Sequence, residues 1–155
     1  MRSSKNKYNV EKLLKNVCIF LFSICFCSFE QQMDFAVIIS PETAITEMTF
    51  NDLKIVLKGE KQRWKDNTKI MIAMMKSSSP TGNDISKKVY GMSGDAINKY
   101  WLALVFQGKA TAPVFFESES ELKAYVSKTK GAIGVISANA VGNEKSILID
   151  GKKVF

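Results

Sequence analysis

Short apolar runs alternate with helix-like segments along this chain, and that alternation limits its fold more than any other feature of the sequence. Four mostly apolar stretches predict buried or extended strands: Phe35–Ile39 and residues 70–75, 112–116 and 131–137. Strands that alternate with helices predict an α/β layer structure. The glycines of the last stretch would let another backbone or a ligand approach that strand closely.

Polar residues mark the beginnings of the predicted helices, and glycines mark two of their ends. The first helix is predicted to begin at the cap Thr49 and to end at Gly59. The second has Ser93 as its cap and covers residues 95–107. The third begins at the cap Ser118 or Ser120 and ends at Lys128. Residues 85–90 are a further helical segment. Aromatic and aliphatic residues are dense in residues 95–107, which predicts that this helix is buried on most sides.

The end of the chain predicts a C-terminal hairpin. Residues 147–149 and 153–155 lie on either side of Asp150 and Gly151. An Asp-Gly pair between two such segments is a strong signal for a two-residue turn.

The net charge of +7 belongs mostly to the N-terminus. Residues 1–27 contain five basic residues and one acidic residue, so the rest of the chain has a net charge of +3 with both signs interspersed. Binding of nucleic acid calls for clustered Lys and Arg with interleaved aromatic residues, and the sequence has no such cluster. We therefore expect no nucleic-acid partner.

The N-terminus itself predicts export. A basic segment that ends at Lys15 precedes a mostly apolar run of 13 residues, 17–29. Such a run is shorter than the roughly 20 residues that span a bilayer, but it suits a signal peptide. We predict a signal peptide over residues 1–27, a domain over residues 28–155 and a periplasmic location. The alternative is an uncleaved segment that anchors the protein to the membrane.

A hydroxyl-rich turn between the 70–75 strand and the next helix is the best candidate for a binding site. It contains Lys76, Ser77, Ser78, Ser79, Pro80, Thr81, Gly82 and Asn83. A strand that ends in such a turn aims backbone N–H groups and hydroxyls at one point, in front of the positive end of a helix dipole. That geometry holds an oxyanion. The alternative is an ordinary loop with Thr81 or Asn83 as the N-cap.

These segments follow an order that resembles the phosphate-binding proteins of ABC transporters, and most closely their short, single-lobe members. The resemblance covers residues 35–141 and rests on four markers: Leu57-Lys58-Gly59, the turn at Trp64, the serine-rich turn, and Lys130-Gly131-Ala132-Ile133-Gly134. It implies one lobe of a type 2 periplasmic binding protein, which is a three-layer domain with a mixed sheet between helices. It also implies a phosphate or oxyanion site formed by Lys76, Ser77, Ser78, Ser79, Thr81, Gly82 and Asn83.

The serine-rich turn departs from the form that is usual in that family, Arg-x-Asp-Gly-Ser-Gly-Thr. Lys76 stands where the arginine would be and supplies a point charge instead of a two-pronged donor. No Asp lies between Lys76 and Thr81, and Pro80 has no backbone N–H to donate. The exported residues make one lobe, so we expect the second lobe to be absent. A second copy or another subunit would then complete the cleft.

Other reactive or aromatic residues have simpler explanations. We expect Trp64, Tyr100 and Trp101 in the core, and Met71, Met74 and Met75 as flexible core residues instead of metal ligands. Glu117, Glu119 and Glu121 straddle a helix start, where acidic residues favour the helix dipole. The sequence has no histidine, which excludes His-based triads and His-ligated metals, and it has no nucleotide-binding motif. We therefore expect a protein that is not an enzyme and has no cofactor.

The sequence thus predicts an exported lobe that binds a small oxyanion, phosphate first, for ABC-type transport or sensing. Its protein partner would be an ABC permease or a second lobe or subunit. The alternative is an interaction module of the cell envelope that is built on the same lobe and binds no small ligand.

Overall fold

Residues 33–155 contain one mixed sheet of six strands, and helices cover both of its faces. The computed structural model describes residues 33–155, so the predicted signal peptide lies outside the described residues. The strands are β1 (Phe35–Ile39), β2 (Glu47–Met48), β3 (Met71–Met75), β4 (Val114–Phe116), β5 (Ala132–Ser137) and β6 (Ser146–Ile149). The α-helices are α1 (Phe50–Leu57), α2 (Pro80–Ile85), α3 (Gly94–Phe106) and α4 (Glu119–Lys128). No helix within these residues is both long enough and apolar enough to cross a membrane.

The strand order is β2-β6-β1-β5-β3-β4. Strand β3 is parallel to β4 on one side and to β5 on the other, whereas β1 is antiparallel to both β5 and β6. The prediction of an α/β fold with a mixed sheet between helices is therefore confirmed. Because β3, β4 and β5 run in the same direction, their carboxyl ends lie at one edge of the sheet.

Different helices occupy the two faces of the sheet. Ala73 of β3 pairs in parallel register with Gly134 of β5, so both point to the same face, and Leu122 of α4 packs against that face. Met74 points to the other face, where the hydroxyl of Tyr90 lies 3.4 Å from its sulfur. That hydroxyl donates to the carbonyl of Leu57 at 2.8 Å, which joins the end of α1 to the same face.

The predicted helix caps are present. The side chain of Thr49 accepts from the N–H of Asp52 at 3.0 Å and begins α1. Ser93 begins α3, and Ser118 begins α4 in a capping box with Glu121. Helix α2 begins earlier than the sequence indicated and continues as a π-helical segment, Ser86–Tyr90.

The prediction that the third helix is buried on most sides is wrong. Ile97 and Trp101 of α3 are buried, but Leu102, Val105 and Phe106 are exposed. One face of α3 packs on the domain, and nothing in residues 33–155 covers the opposite face.

The C-terminal turn forms as predicted, but the hairpin is minimal. Asp150 and Gly151 both have positive φ, 48° and 76°, and Ile149 and Lys152 exchange two backbone hydrogen bonds across them. The chain then leaves β6, and Phe155 exchanges two backbone hydrogen bonds with Phe35 of β1, each of 3.0 Å. The last residues therefore pair with β1 instead of extending the hairpin, because the Phe155 ring packs against apolar neighbours there.

We predict that the Gly134→Ala substitution destabilises the protein by about 1–3 kcal/mol, because a buried site without room is overpacked. A Cβ at Gly134 would lie 2.6 Å from Cδ2 of Leu122. Urea unfolding at constant m-value measures the change in the free energy of unfolding. In a Leu122→Ala background the same substitution should cost clearly less, and an equal cost in both backgrounds would contradict this contact.

Candidate functional site

Three loops meet at the carboxyl edge of β3, β4 and β5. The serine-rich turn follows β3, Glu117 follows β4, and Ser137 ends β5. Ligands of open α/β sheets bind at this kind of edge, because loops from neighbouring strands converge there. The edge brings together the predicted site residues and two carboxylates, those of Glu117 and Glu119, that the sequence did not associate with them.

Ser79 organises the serine-rich turn. Its hydroxyl donates to the carbonyl of Lys76 at 2.8 Å and accepts from the N–H of Gly82 at 3.0 Å. Its carbonyl accepts from the N–H of Asn83 at 3.0 Å. The amides of Gly82 and Asn83, which were predicted as anion donors, therefore already have partners within the protein.

The N-cap of α2 is Ser79, and the alternative in which Thr81 or Asn83 caps the helix is wrong. The cause is Pro80, which occupies the first helical position, where its fixed φ is favourable and its missing N–H costs nothing. A residue before proline is pushed towards extended conformations, and Ser79 has φ −82° and ψ 148°. That conformation is the one an N-cap requires.

Gly82 is required by the tight packing of the turn. A Cβ at this position would lie 2.1 Å from the carbonyl oxygen of Lys76, so only glycine fits. The chain can therefore fold back closely enough for Ser79 to bridge Lys76 and the first turn of α2.

Ser77, Ser78 and Thr81 keep donors at the surface. Within residues 33–155, the structure records no hydrogen-bond partner for their three backbone N–H groups. The hydroxyl of Ser77 accepts from Nδ2 of Asn98 at 3.1 Å, which leaves its own proton available. Asn98 belongs to α3, and no pattern in the sequence indicated this contact.

Lys76 is partly neutralised by Glu117. Its ammonium forms an ion pair with that carboxylate, and the two side chains are 46% and 66% exposed. Exposed pairs of this kind contribute between 0 and about 1 kcal/mol and are weakened by salt. Glu117 does not simply support the start of α4, as the sequence suggested. It lies before that helix and contacts the serine-rich turn.

The end of β5 is engaged by a carboxylate of the protein itself. The N–H of Ser137 donates to Oε1 of Glu119 at 2.6 Å, and Ser137 is buried. Glu119 lies in the first turn of α4. The amide at this strand end is therefore occupied by a carboxylate, whereas those of Ser77 and Ser78 at the end of β3 are not.

Both tryptophans and Tyr90 belong to the core. Trp64 and Trp101 are buried as predicted, and the indole of Trp64 donates to the carbonyl of Gly131 at 3.0 Å. Burial raises the pKa of the Tyr90 hydroxyl far above its usual value, so this group remains a hydrogen-bond donor. Within residues 33–155, no group of three or more acidic, Cys or His side chains is arranged to hold a metal ion.

No protein-family model matches this sequence, and no curated protein matches it. Solved structures do match this chain. An ABC-type phosphate transport receptor from Vibrio cholerae superposes with a TM-score of 0.63 at 19% identity, over 80% of this chain and 50% of that one. PstS from Borrelia burgdorferi gives a TM-score of 0.57 at 23% identity, over 77% of this chain and 49% of that one.

The chain has the fold of one lobe of a periplasmic binding protein. A third structure, from Clostridium perfringens, contains bound phosphate and matches with a TM-score of 0.60 at 18% identity, over 78% of this chain and 47% of that one. The chain thus spans about half the length of each of these structures. At these identities the likeness is one of fold.

We predict that Ser79→Ala lowers the free energy of unfolding by about 1 kcal/mol, because an N-cap hydroxyl is lost. Ser78→Ala is the matched control, since the Ser78 side chain is exposed and caps no helix. That variant should stay within about 0.5 kcal/mol of the parent. Equal effects of the two substitutions, measured by urea unfolding, would contradict the capping role of Ser79.

Proposed function

We propose that this protein is an exported, single-lobe binding protein that captures a small oxyanion, most readily phosphate, for ABC-type transport or sensing. The observation that carries this proposal is the set of donors on Ser77, Ser78 and Thr81 that have no partner within residues 33–155, in the turn that also contains Lys76. They lie at the carboxyl edge of a lobe whose fold is shared with a phosphate transport receptor and with a structure that contains phosphate.

The seven predicted residues have two different roles in this proposal. Lys76 supplies positive charge, and Ser77, Ser78 and Thr81 donate hydrogen bonds to the oxyanion. The other three, Ser79, Gly82 and Asn83, hold the turn in shape through hydrogen bonds to each other and to the backbone of Lys76. Binding is non-covalent and uses no cofactor.

Glu117 limits the affinity of this site. Its carboxylate already pairs with Lys76, so an incoming anion must share or displace that partner. An oxyanion also approaches against the negative charges of Glu117 and Glu119. We therefore propose moderate affinity for the lone lobe, with an ABC permease or a second lobe or subunit completing the cleft.

A second candidate function is an interaction module of the cell envelope that binds no small ligand. It is supported by the donors that the protein already uses internally, which are the amides of Gly82, Asn83 and Ser137. In this case the Lys76–Glu117 pair is a surface ion pair, and the serine-rich turn contacts a protein partner instead of an anion.

Calorimetric titration with phosphate and with sulfate separates the two functions. We predict heat of binding for the parent chain and a loss of affinity of about tenfold or more in the combined variant Lys76→Ala, Ser78→Ala and Thr81→Ala, since each good charge-assisted donor contributes roughly 1 kcal/mol or more. The control variant is Ser127→Ala with Lys128→Ala, at the far end of α4. Absence of heat with either anion from a folded chain would rule out the oxyanion proposal.

Removing the competing carboxylate should strengthen binding. We predict that Glu117→Gln raises phosphate affinity by up to about fivefold at low salt, because it frees Lys76 and removes a like charge from the approach of the anion. Glu42→Gln, an exposed substitution away from the site, should leave the affinity unchanged. Weaker binding by the Glu117→Gln variant would mean that the carboxylate does not compete with the anion.

A further inference from the structure

A groove runs along the open edge of β2. This strand is the last in the strand order and has a neighbour, β6, on one side only. Residues 43–48 form one wall of the groove, and side chains of α1 and of the segment from Lys61 to Asp66 form the other. The volume between the walls is about 530 Å³, which is within the range of ligand pockets. Three strands separate β2 from β3, so this groove is distinct from the serine-rich turn.

The backbone of the β2 edge has unpaired hydrogen-bonding groups. The carbonyl of Met48 points to β6, where it accepts from the N–H of Asp150 at 3.1 Å. Successive residues of a strand direct their N–H and carbonyl groups to opposite sides, so those of Ile45 and Glu47 point away from β6 and towards the groove. Among residues 33–155 the structure records no hydrogen-bond partner for the N–H or the carbonyl of either residue.

The spacing of these groups identifies the kind of occupant. Donors and acceptors repeat every second residue, about 6.6 Å apart at 3.3 Å per residue, which matches the backbone of another extended chain. An open strand edge is a ready template for such a chain. The wall opposite the edge leaves room for a single strand. A second copy that paired through its own β2 would bring its own segment from Lys61 to Asp66 into the same space.

The floor of the groove is apolar. Val56 and Trp64 are buried there, and Ile45 and Met48 are half-buried and pack against the core. A strand presents every second side chain to one face. Apolar side chains at alternate positions of a bound peptide would therefore lie on this floor, away from water.

Charges of both signs stand at the rim of the groove. Glu47 and Asp52 are on the side of β2 and α1, and Lys61, Lys65 and Asp66 are on the opposite side. All five are exposed, and among residues 33–155 the structure records no ion pair for any of them. An occupant with a large charge of either sign would be repelled by part of the rim. The groove therefore favours an occupant of low net charge, unlike the oxyanion proposed for the serine-rich turn.

We propose that this groove binds an extended peptide segment of a partner protein, which adds a strand beside β2. The backbone groups of Ile45 and Glu47 pair with the peptide backbone, and apolar side chains at every second position of the peptide occupy the floor. In this mode of recognition the main-chain hydrogen bonds supply affinity and the alternate side chains supply specificity. The segment has a low net charge, and its binding does not depend on an anion at the serine-rich turn.

Fluorescence anisotropy of the full chain in a non-ionic detergent tests the recognised pattern. The probe is a fluorescein-labelled peptide of three Thr-Val repeats, and the control has the same residues in the order Val-Val-Val-Thr-Thr-Thr. We expect the alternating probe to bind about fivefold more tightly or better, because only alternation places every valine on the floor. Equal affinity for the two peptides would contradict recognition of a strand pattern.

Methylation of the probe backbone tests strand pairing directly. One version of the alternating probe is N-methylated at the threonines, and the other is N-methylated at the valines. Because successive N–H groups face opposite sides of a strand, only one of the two sets faces β2. We expect one version to lose affinity by about tenfold and the other to keep it. Equal losses, or no loss in either, would exclude pairing with β2.

A substitution at Glu47 tests the same bond from the side of the protein. Glu47→Pro removes the N–H that faces the groove, and no hydrogen bond within residues 33–155 is lost. We expect probe affinity to fall about tenfold while the circular dichroism spectrum stays unchanged. Glu47→Ala keeps the N–H and is the matched control, with an affinity within about twofold of the parent.

Hydrogen exchange in the parent chain gives a result that does not depend on the folding of the proline variant. Saturation with the alternating probe should slow exchange of the Glu47 amide by about tenfold or more, because that amide becomes paired. Three results would overturn the proposal. They are no binding of the alternating probe, binding that leaves the Glu47 amide unprotected, and self-association of the parent that Glu47→Pro abolishes, which would identify a second copy as the occupant.

Discussion

The close approach of α4 to β5 is the constraint on which the arrangement of the carboxyl edge of the sheet depends. Gly134 lacks a side chain at the point where Leu122 crosses the strand, so the helix can lie against the sheet. This approach fixes the first turn of α4 beside the carboxyl ends of β3 and β5. Glu119 then reaches the N–H of Ser137, while Glu117, just before the helix, reaches Lys76.

The carboxyl edge therefore combines donors with carboxylates of the protein itself, and both bear on the proposed anion site. At the end of β5 the carboxylate of Glu119 satisfies a buried amide. At the end of β3 the amides of Ser77 and Ser78 have no such acceptor among residues 33–155. In the proposed function an external anion occupies at β3 the place that Glu119 occupies at β5, and it competes with Glu117 for the charge of Lys76.

Local features were predictable from the sequence, and contacts between distant segments were not. Thr49, Ser93 and Ser118 act as caps because a cap depends on the few residues that follow it. The cap at Ser79 also depends only on neighbouring residues, because Pro80 favours the first helical position and so places the cap at the residue before it. Strand β2, with two residues, is too short for any periodicity. The Lys76–Glu117 pair depends on β4 lying beside β3, which no local pattern specifies.

The exposure of α3 could not be predicted from the sequence. A helix rich in apolar residues has the same sequence pattern whether its second face is covered by its own domain or by another domain. Trp101 and Leu102 are adjacent in sequence, yet one is buried and the other is open. Asn98 joins this open face to the serine-rich turn through Ser77. The serine-rich turn therefore depends on a helix whose packing no local pattern in the sequence specifies.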